Sequence, residues 1–207
     1  MTRPAPSKWA LLALSFAVLV LLDQWTKYLA VERLTFAFER AEARAAGEKV
    51  RAFYGMRHLE RIAREPYVVW KPVWRMNYVE NPGAAWGLFR GMSEGLRNAF
   101  FTAISLGAVV FILLYYRKLE ERQRYLQVAL AFVISGAVGN FIDRVARRYV
   151  IDFIEWHWWN RPDIRWPTFN LADSLIVVGV ALLVLHPGPK RAGAAAAAGN
   201  EKGAPGV

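Results

Sequence analysis

Apolar residues gather into four runs of roughly membrane-spanning length, approximately Trp9–Val31, Leu96–Tyr116, Tyr125–Ile142 and Phe169–His186. Crossing the hydrocarbon of a bilayer as a helix takes roughly 20 residues. The pattern therefore predicts an all-α membrane protein with four transmembrane helices. The first run follows Lys8 and could pass for a cleaved leader. Its apolar core is long for that role, however, and it runs into Asp-Gln-Trp-Thr-Lys without a small-x-small cleavage site, so a retained helix is expected.

The polar segments between the runs orient the chain. Arg117–Arg124 is short and carries Arg117, Lys118, Arg122 and Arg124, as expected of a cytoplasmic loop. Both termini are then cytoplasmic, residues 1–8 form a short inner segment, and the connections at about 32–95 and 143–168 lie outside. Both of these also hold many Arg, so loop charge suggests this orientation without deciding it. Residues 9–186 read as one membrane domain. After His186 the composition turns to Pro, Gly and Ala, with nothing to bury, and 187–207 are expected to be a disordered tail.

Two stretches of the outer loops carry a pattern of their own. Tyr149-Val-Ile-Asp-Phe-Ile154 alternates like a small β element. Phe36–Glu65 is basic and amphipathic, with Phe53, Met56, Leu59 and Ile62 at helical spacing, while Gly47 and Gly55 weaken a continuous helix. This segment reads equally as a helix lying on the membrane surface or as a solvated, poorly ordered insert.

Composition narrows the chemistry. Apolar residues make up 55% of the 207, which is high for a soluble chain. The absence of Cys removes disulfides, thiolate metal sites and cysteine nucleophiles. His58, His157 and His186 are too scattered for a paired-histidine metal site, and no cofactor or metal is expected. The net charge of +10 would suggest nucleic acid in a soluble protein. Here the basic residues sit between apolar runs, so anionic lipid is the expected partner and nucleic acid is not.

Ionisable groups within membrane spans mark function by default. Asp23 and Lys27 lie four apart near the end of the first run and share a face. Asn140, Asp143 and Arg144 end the third run, and Asn170 and Asp173 begin the fourth. Counting crossings brings all three sites to one side of the membrane, together with Asn81-Pro-Gly-Ala-Ala-Trp-Gly87, which precedes the second run. The loop charges make that side the outer one.

Asp152 adds a further acid there. Two carboxylates sharing a proton can activate water for peptide hydrolysis without metal or covalent intermediate. Asp23, Asp143, Asp152 and Asp173 are all candidates by position. Lys27 is an obvious partner for Asp23, and Arg144 for Asp143, whereas Asp152 and Asp173 have none, which favours them as the reactive pair. Gly136 and Gly139 read as helix packing, since Ser135-x-x-x-Gly139 is a small-xxx-small pattern.

Five ordered blocks, Asp23-Gln-x-Thr-Lys27, Asn81-x-Gly-Ala-Ala, Gly139-Asn-x-x-Asp-Arg144, Ile151-Asp-Phe and Phe169-Asn-x-Ala-Asp173, resemble those of lipoprotein signal peptidases, the signal peptidase II family. The resemblance covers Trp9 to about His186 and implies a bacterial inner-membrane aspartyl peptidase with its site near the outer face. It places the catalytic dyad on Asp152 and Asp173. Asn140, Asp143, Arg144 and Asn170 correspond to residues that shape the site or contact substrate, and Asn81, Gly83, Asp23 and Lys27 to supporting positions. It implies removal of signal peptides from prolipoproteins, just before a cysteine modified with diacylglycerol. The expected enzyme is a monomer. Departures from the family pattern are Trp86 in place of Phe, the Ala-rich tail and a longer first outer loop.

The competing reading is a proton-coupled transporter or lipid-binding scaffold. Repeated halves or helices broken at mid-membrane would mark a transporter, whereas these acids cluster at one interface. A serine protease lacks a Ser with a His partner, and no G-x-S-x-G occurs.

Overall fold

The computed structural model describes residues 7–83, 91–159 and 161–186; Trp86 with the rest of 84–87, and the tail 187–207, lie outside them. Helix α1 spans Lys8–Leu34, α4 Glu94–Arg117, α5 Arg124–Arg147 and α6 Leu171–Val184. The first three are long and apolar enough to cross a membrane. The fourth is an apolar helix of 14 residues, about 21 Å at the helical rise.

Helix α5 is the axis of the bundle and packs against α1, α4 and α6. Small residues let its neighbours approach. A Cβ on Gly136 would strike the Ala172 carbonyl, and one on Gly139 would fall 2.5 Å from an Asp23 oxygen. At the opposite end, Lys8 Nζ donates to Arg117 O at 3.0 Å and Leu119 O at 2.5 Å, closing the start of α1 onto the end of α4. A cation there offsets the carbonyls left unpaired at a helix C-terminus. Leu12, Ile112, Tyr116, Leu126, Leu130 and Ile134 fill the space behind it. By contrast, α4 leaves Leu96, Ile104, Phe111 and Leu114 exposed, as suits a helix facing lipid.

Four antiparallel strands, β1 (Tyr67–Trp70), β2 (Trp74–Asn81), β3 (Val150–Trp158) and β4 (Arg161–Arg165), pair in that order. The β-like stretch around Asp152 is thus the start of β3, in a sheet larger than the alternation there suggested. Asp152 faces Val79 across the β2–β3 ladder, and Asn81 pairs with Val150. The sheet sits over the end of the bundle where α1 and α5 finish.

Phe36–Glu65 is neither one surface helix nor an unstructured insert. It forms α2 (Ala37–Arg40), α3 (Ala46–Gly55) and a 3-10 turn (Leu59–Ile62). Gly55 ends α3, and His58 in the left-handed region, at φ 58°, turns the chain. The apolar stripe faces protein: Phe53 and Leu59 are buried with Val31, Phe38, Tyr78, Tyr149 and Ile151.

Helix α5 also runs past Ile142, so Asp143 and Arg144 belong to the helix and not to the following loop. The continuation is polar but ordered, because Arg147 reaches back one turn to Asp143, with Nη1–Oδ1 at 2.8 Å.

Candidate active site

The ends of α1 and α5, the start of α6 and strands β2 and β3 converge on one polar cluster. Asn170 is the N-cap of α6. Its side-chain oxygen accepts from Asp173 N at 3.0 Å, and Asp173 Oδ2 accepts from Asn170 N at 3.2 Å. This reciprocal capping box fixes Asp173 in the first turn, where backbone N–H groups lack helical partners. Asn170 Nδ2 also donates to Asp152 Oδ1 at 2.7 Å. One asparagine therefore touches both acids.

The two carboxylates have further asparagine donors. Asn81 Nδ2 donates to Asp152 Oδ2 at 2.9 Å, and Asn140 Nδ2 to Asp173 Oδ1 at 2.7 Å. Asn81 is itself held by the backbone N–H of Gly83, 2.9 Å from its Oδ1. Gly83 has φ 92°, a conformation that suits glycine, and a Cβ there would be driven into the Phe101 ring. Both acids line an open cleft of about 710 Å³ with Asn77, Asn81, Trp166 and Phe169. Among the described residues neither is in an ion pair.

Beneath this layer lies a buried ionic cluster. Lys27 Nζ is 2.9 Å from Asp23 Oδ2, 2.9 Å from Asp143 Oδ2 and 3.0 Å from Asn140 Oδ1. Lys27, Asp23 and Asp143 are inaccessible to solvent. The remaining carboxylate oxygens are also occupied: Asp23 Oδ1 accepts from Ala172 N at 3.0 Å and Asp143 Oδ1 pairs with Arg147 Nη1 at 2.8 Å, while Asp143 Oδ2 accepts in addition from Ile151 N at 3.2 Å. The cluster thus joins α1, α5, α6 and β3 at one point, and its lysine orients Asn140.

Asp152 is 1% exposed. Burial, reinforced by the negative charge of Asp173, pushes its carboxyl up to about 8, against the hydrogen bonds from Asn81 and Asn170. Loss of water disfavours the ionised form, and a second carboxylate does so again. The site thereby contains an acid able to hold a proton near neutral pH.

All ten residues singled out from the sequence lie in or against this cluster, with two adjustments. Asp143 pairs with Lys27 and Arg147, not with adjacent Arg144, because neighbouring residues of a helix do not face each other. Arg144 lies where the charges of Asp173 and Asp152 reach it, with its guanidinium 5.6 Å from the Phe101 ring centroid.

Sequence reasoning missed Gln24 and Arg147. Gln24 Nε2 donates to Asp23 Oδ2 at 3.1 Å and Gly139 O at 3.2 Å. Arg147 Nε donates to Phe53 O at 3.1 Å, tying the insert to the site. The i, i+4 spacing from Asp143 was the available signal for Arg147. Gln24 lies inside the Asp23-Gln-x-Thr-Lys27 block, where a neutral amide beside two charged residues gives no signal of its own.

Comparison with known proteins follows the same outline. The family described as signal peptidase (SPase) II matches residues 15–187. A lipoprotein signal peptidase of Anaeromyxobacter sp. (strain Fw109-5) is 73% identical over 195 residues, covering 94% of this chain and 92% of that protein. One from Alteromonas mediterranea is 32% identical over 169 residues, covering 82% and 75%. A bacterial membrane enzyme solved by the in meso method at 1.9 Å is similar with a TM-score of 0.58 and 26% identity, covering 84% of this chain and 90% of that one. A second such structure, at 2.3 Å, shares the fold with a TM-score of 0.59 and 24% identity, covering 96% and 94%.

Proposed function

Because the chain belongs to the signal peptidase II family, we propose that Asp152 and Asp173 are its catalytic pair. The protein is an integral membrane protease of the aspartic type that removes signal peptides from lipoproteins. Its substrates are prolipoproteins whose cysteine already carries diacylglycerol, and the bond cut lies on the amino side of that cysteine.

In this mechanism the pair holds one proton. The ionised carboxylate takes a proton from water as the water oxygen bonds to the scissile carbonyl carbon, and the protonated partner donates to the carbonyl oxygen. Collapse of the tetrahedral intermediate delivers a proton to the amide nitrogen and breaks the C–N bond. Asn81, Asn140 and Asn170 aim the carboxylates; Lys27 holds Asn140, whose oxygen also accepts from Asn170, and the Gly83 N–H holds Asn81. Arg144 offers positive charge beside the reacting centre.

The observation that carries this reading is the shared cleft, in which two acids outside any ion pair of the described residues are both bound to Asn170. The upward shift of Asp152 supports it. The arrangement gives no support to a transporter or scaffold.

The reading includes four membrane crossings, with α6 as the fourth, both termini in the cytoplasm, the site at the outer face and a monomeric enzyme. Support for the orientation comes from Lys8, Arg117, Lys118, Arg122 and Arg124, which gather at the end of the bundle opposite the acids.

The test is digestion of a synthetic diacylglyceryl prolipopeptide by purified protein, followed by mass spectrometry. The lipid-bearing product should begin at the modified cysteine, and chelators should leave the yield unchanged. Cleavage elsewhere, or activity restored only by a divalent ion, would contradict the proposal.

A further inference from the structure

A second pocket, of about 240 Å³, lies between the β1–β2 and β3–β4 hairpins, on Trp70, Lys71, Trp74, Arg75, His157 and Trp159. It shares no lining residue with the catalytic cleft. Two of its ring nitrogens, Trp74 Nε1 and His157 Nδ1, are buried without a hydrogen bond. His157 Nδ1 stands 3.4 Å from Glu155 Oε1 but is not aimed at it. An indole N–H can only donate, and a buried donor without an acceptor is costly. Arg75 is engaged by Glu155, while Lys71 is exposed and makes no ion pair among the described residues. The lining therefore suits an anion with several acceptor oxygens.

The surroundings identify the source of that anion. Tyr67, Trp70, Trp158, Trp159 and Trp166 are each at least 60% exposed around the hairpins. Such a patch would be a liability in water, whereas Trp and Tyr favour the bilayer interface. Tyr67, Val69 and Met76 share an apolar groove with Leu29, Ala30 and Arg33 at the far end of α1, which on the four-crossing reading puts the sheet at the hydrocarbon boundary. Arg161 and Arg165 of β4 add positive charge nearby.

We propose that the pocket between the hairpins binds the phosphate of an anionic phospholipid and seats the sheet on the bilayer surface. This rests on the membrane orientation proposed above, with the sheet at the outer interface. It moves the lipid contact from the insert, whose apolar stripe is buried in protein, to the hairpin tips.

Native mass spectrometry of the full chain, released from nanodiscs containing equal amounts of phosphatidylglycerol and phosphatidylcholine, tests this. The wild type should retain phosphatidylglycerol selectively. Lys71→Gln should lower that retention about fivefold, the change that about 1 kcal/mol per surface cation corresponds to. Trp74→Phe keeps the ring, removes only the donor, and should lower retention as well. Inorganic phosphate alone should not displace the lipid. Both variants should cleave lipopeptide normally in detergent, which keeps this test separate from that of the peptidase reading.

Equal retention of the two lipids, or unchanged selectivity in both variants, would overturn the proposal. So would displacement by phosphate, which would mark a general anion pocket. A raised KM in phospholipid-free detergent would assign the pocket to the substrate peptide instead.

Discussion

Asn170 Nδ2 lies 2.7 Å from Asp152 Oδ1, while the same residue caps the helix that carries Asp173. A single side chain thereby couples the direction of one acid to the helix start that fixes the other. Asn170→Ala should lose about 1 kcal/mol of stability with the cap. It should also lose turnover on the order of 100-fold, because positioning is a large part of catalysis. Single-turnover cleavage beside thermal unfolding in detergent separates the two effects; a loss confined to stability would show that Asn170 is only a cap.

Lys27 neutralises Asp23 and Asp143 where no solvent reaches. Lys27→Met leaves two carboxylates facing each other and should destabilise the fold by about 3–5 kcal/mol. Adding Asp143→Asn should recover part of the stability but not normal activity, since Asn140 would still lack its lysine. Unfolding midpoints of the single and double variants check this directly.

The sequence showed where the helices lie because hydrocarbon demands long apolar runs. It pointed to Asp152 and Asp173 as the candidate pair because they stand apart from cations along the chain. The last turn of α5 was not legible, since a search for apolar runs stops at Ile142 while the helix continues through Asp143 and Arg147 on an ion pair. Strands β1 and β2 were hidden for another reason. They are specified by pairing with β3, more than 70 residues away in the ladder that joins Val79 to Asp152. The spacing of Phe53 and Leu59 revealed an apolar face but not what that face would meet.

That face gives the next prediction. Leu59 is 1% exposed within the cluster formed by Phe53, Tyr78 and Ile151. Leu59→Ala should cost about 2–5 kcal/mol locally and speed hydrogen exchange in the insert and β2. Arg57→Glu, at an exposed position, should do neither. Equal exchange in the two variants would return the insert to the membrane surface.

The raised carboxyl of Asp152 sets a pH window. It ionises near 3.8 when unfolded and about 8 when folded, so the folded state binds its proton more tightly between those values. This contribution to stability is complete below about 4 and declines as pH rises towards 8, by at most about 1.4 kcal/mol per pH unit. Turnover should likewise fall above about 8, as the pair loses its shared proton. Asp152→Asn should abolish this slope of stability in unfolding measured from pH 5 to 9. A slope unchanged in the variant would place the proton elsewhere.

The central claim is that Asp152 and Asp173 together perform the hydrolysis. The most direct measurement is cleavage of a diacylglyceryl prolipopeptide by Asp152→Asn and Asp173→Asn, with binding of the same lipopeptide measured in parallel. Each substitution nearly preserves volume and removes one acid. The account predicts that each variant folds, binds lipopeptide within a few-fold of wild type and cleaves it at least about 1,000-fold more slowly. Near-normal turnover in either variant would contradict the two-aspartate mechanism.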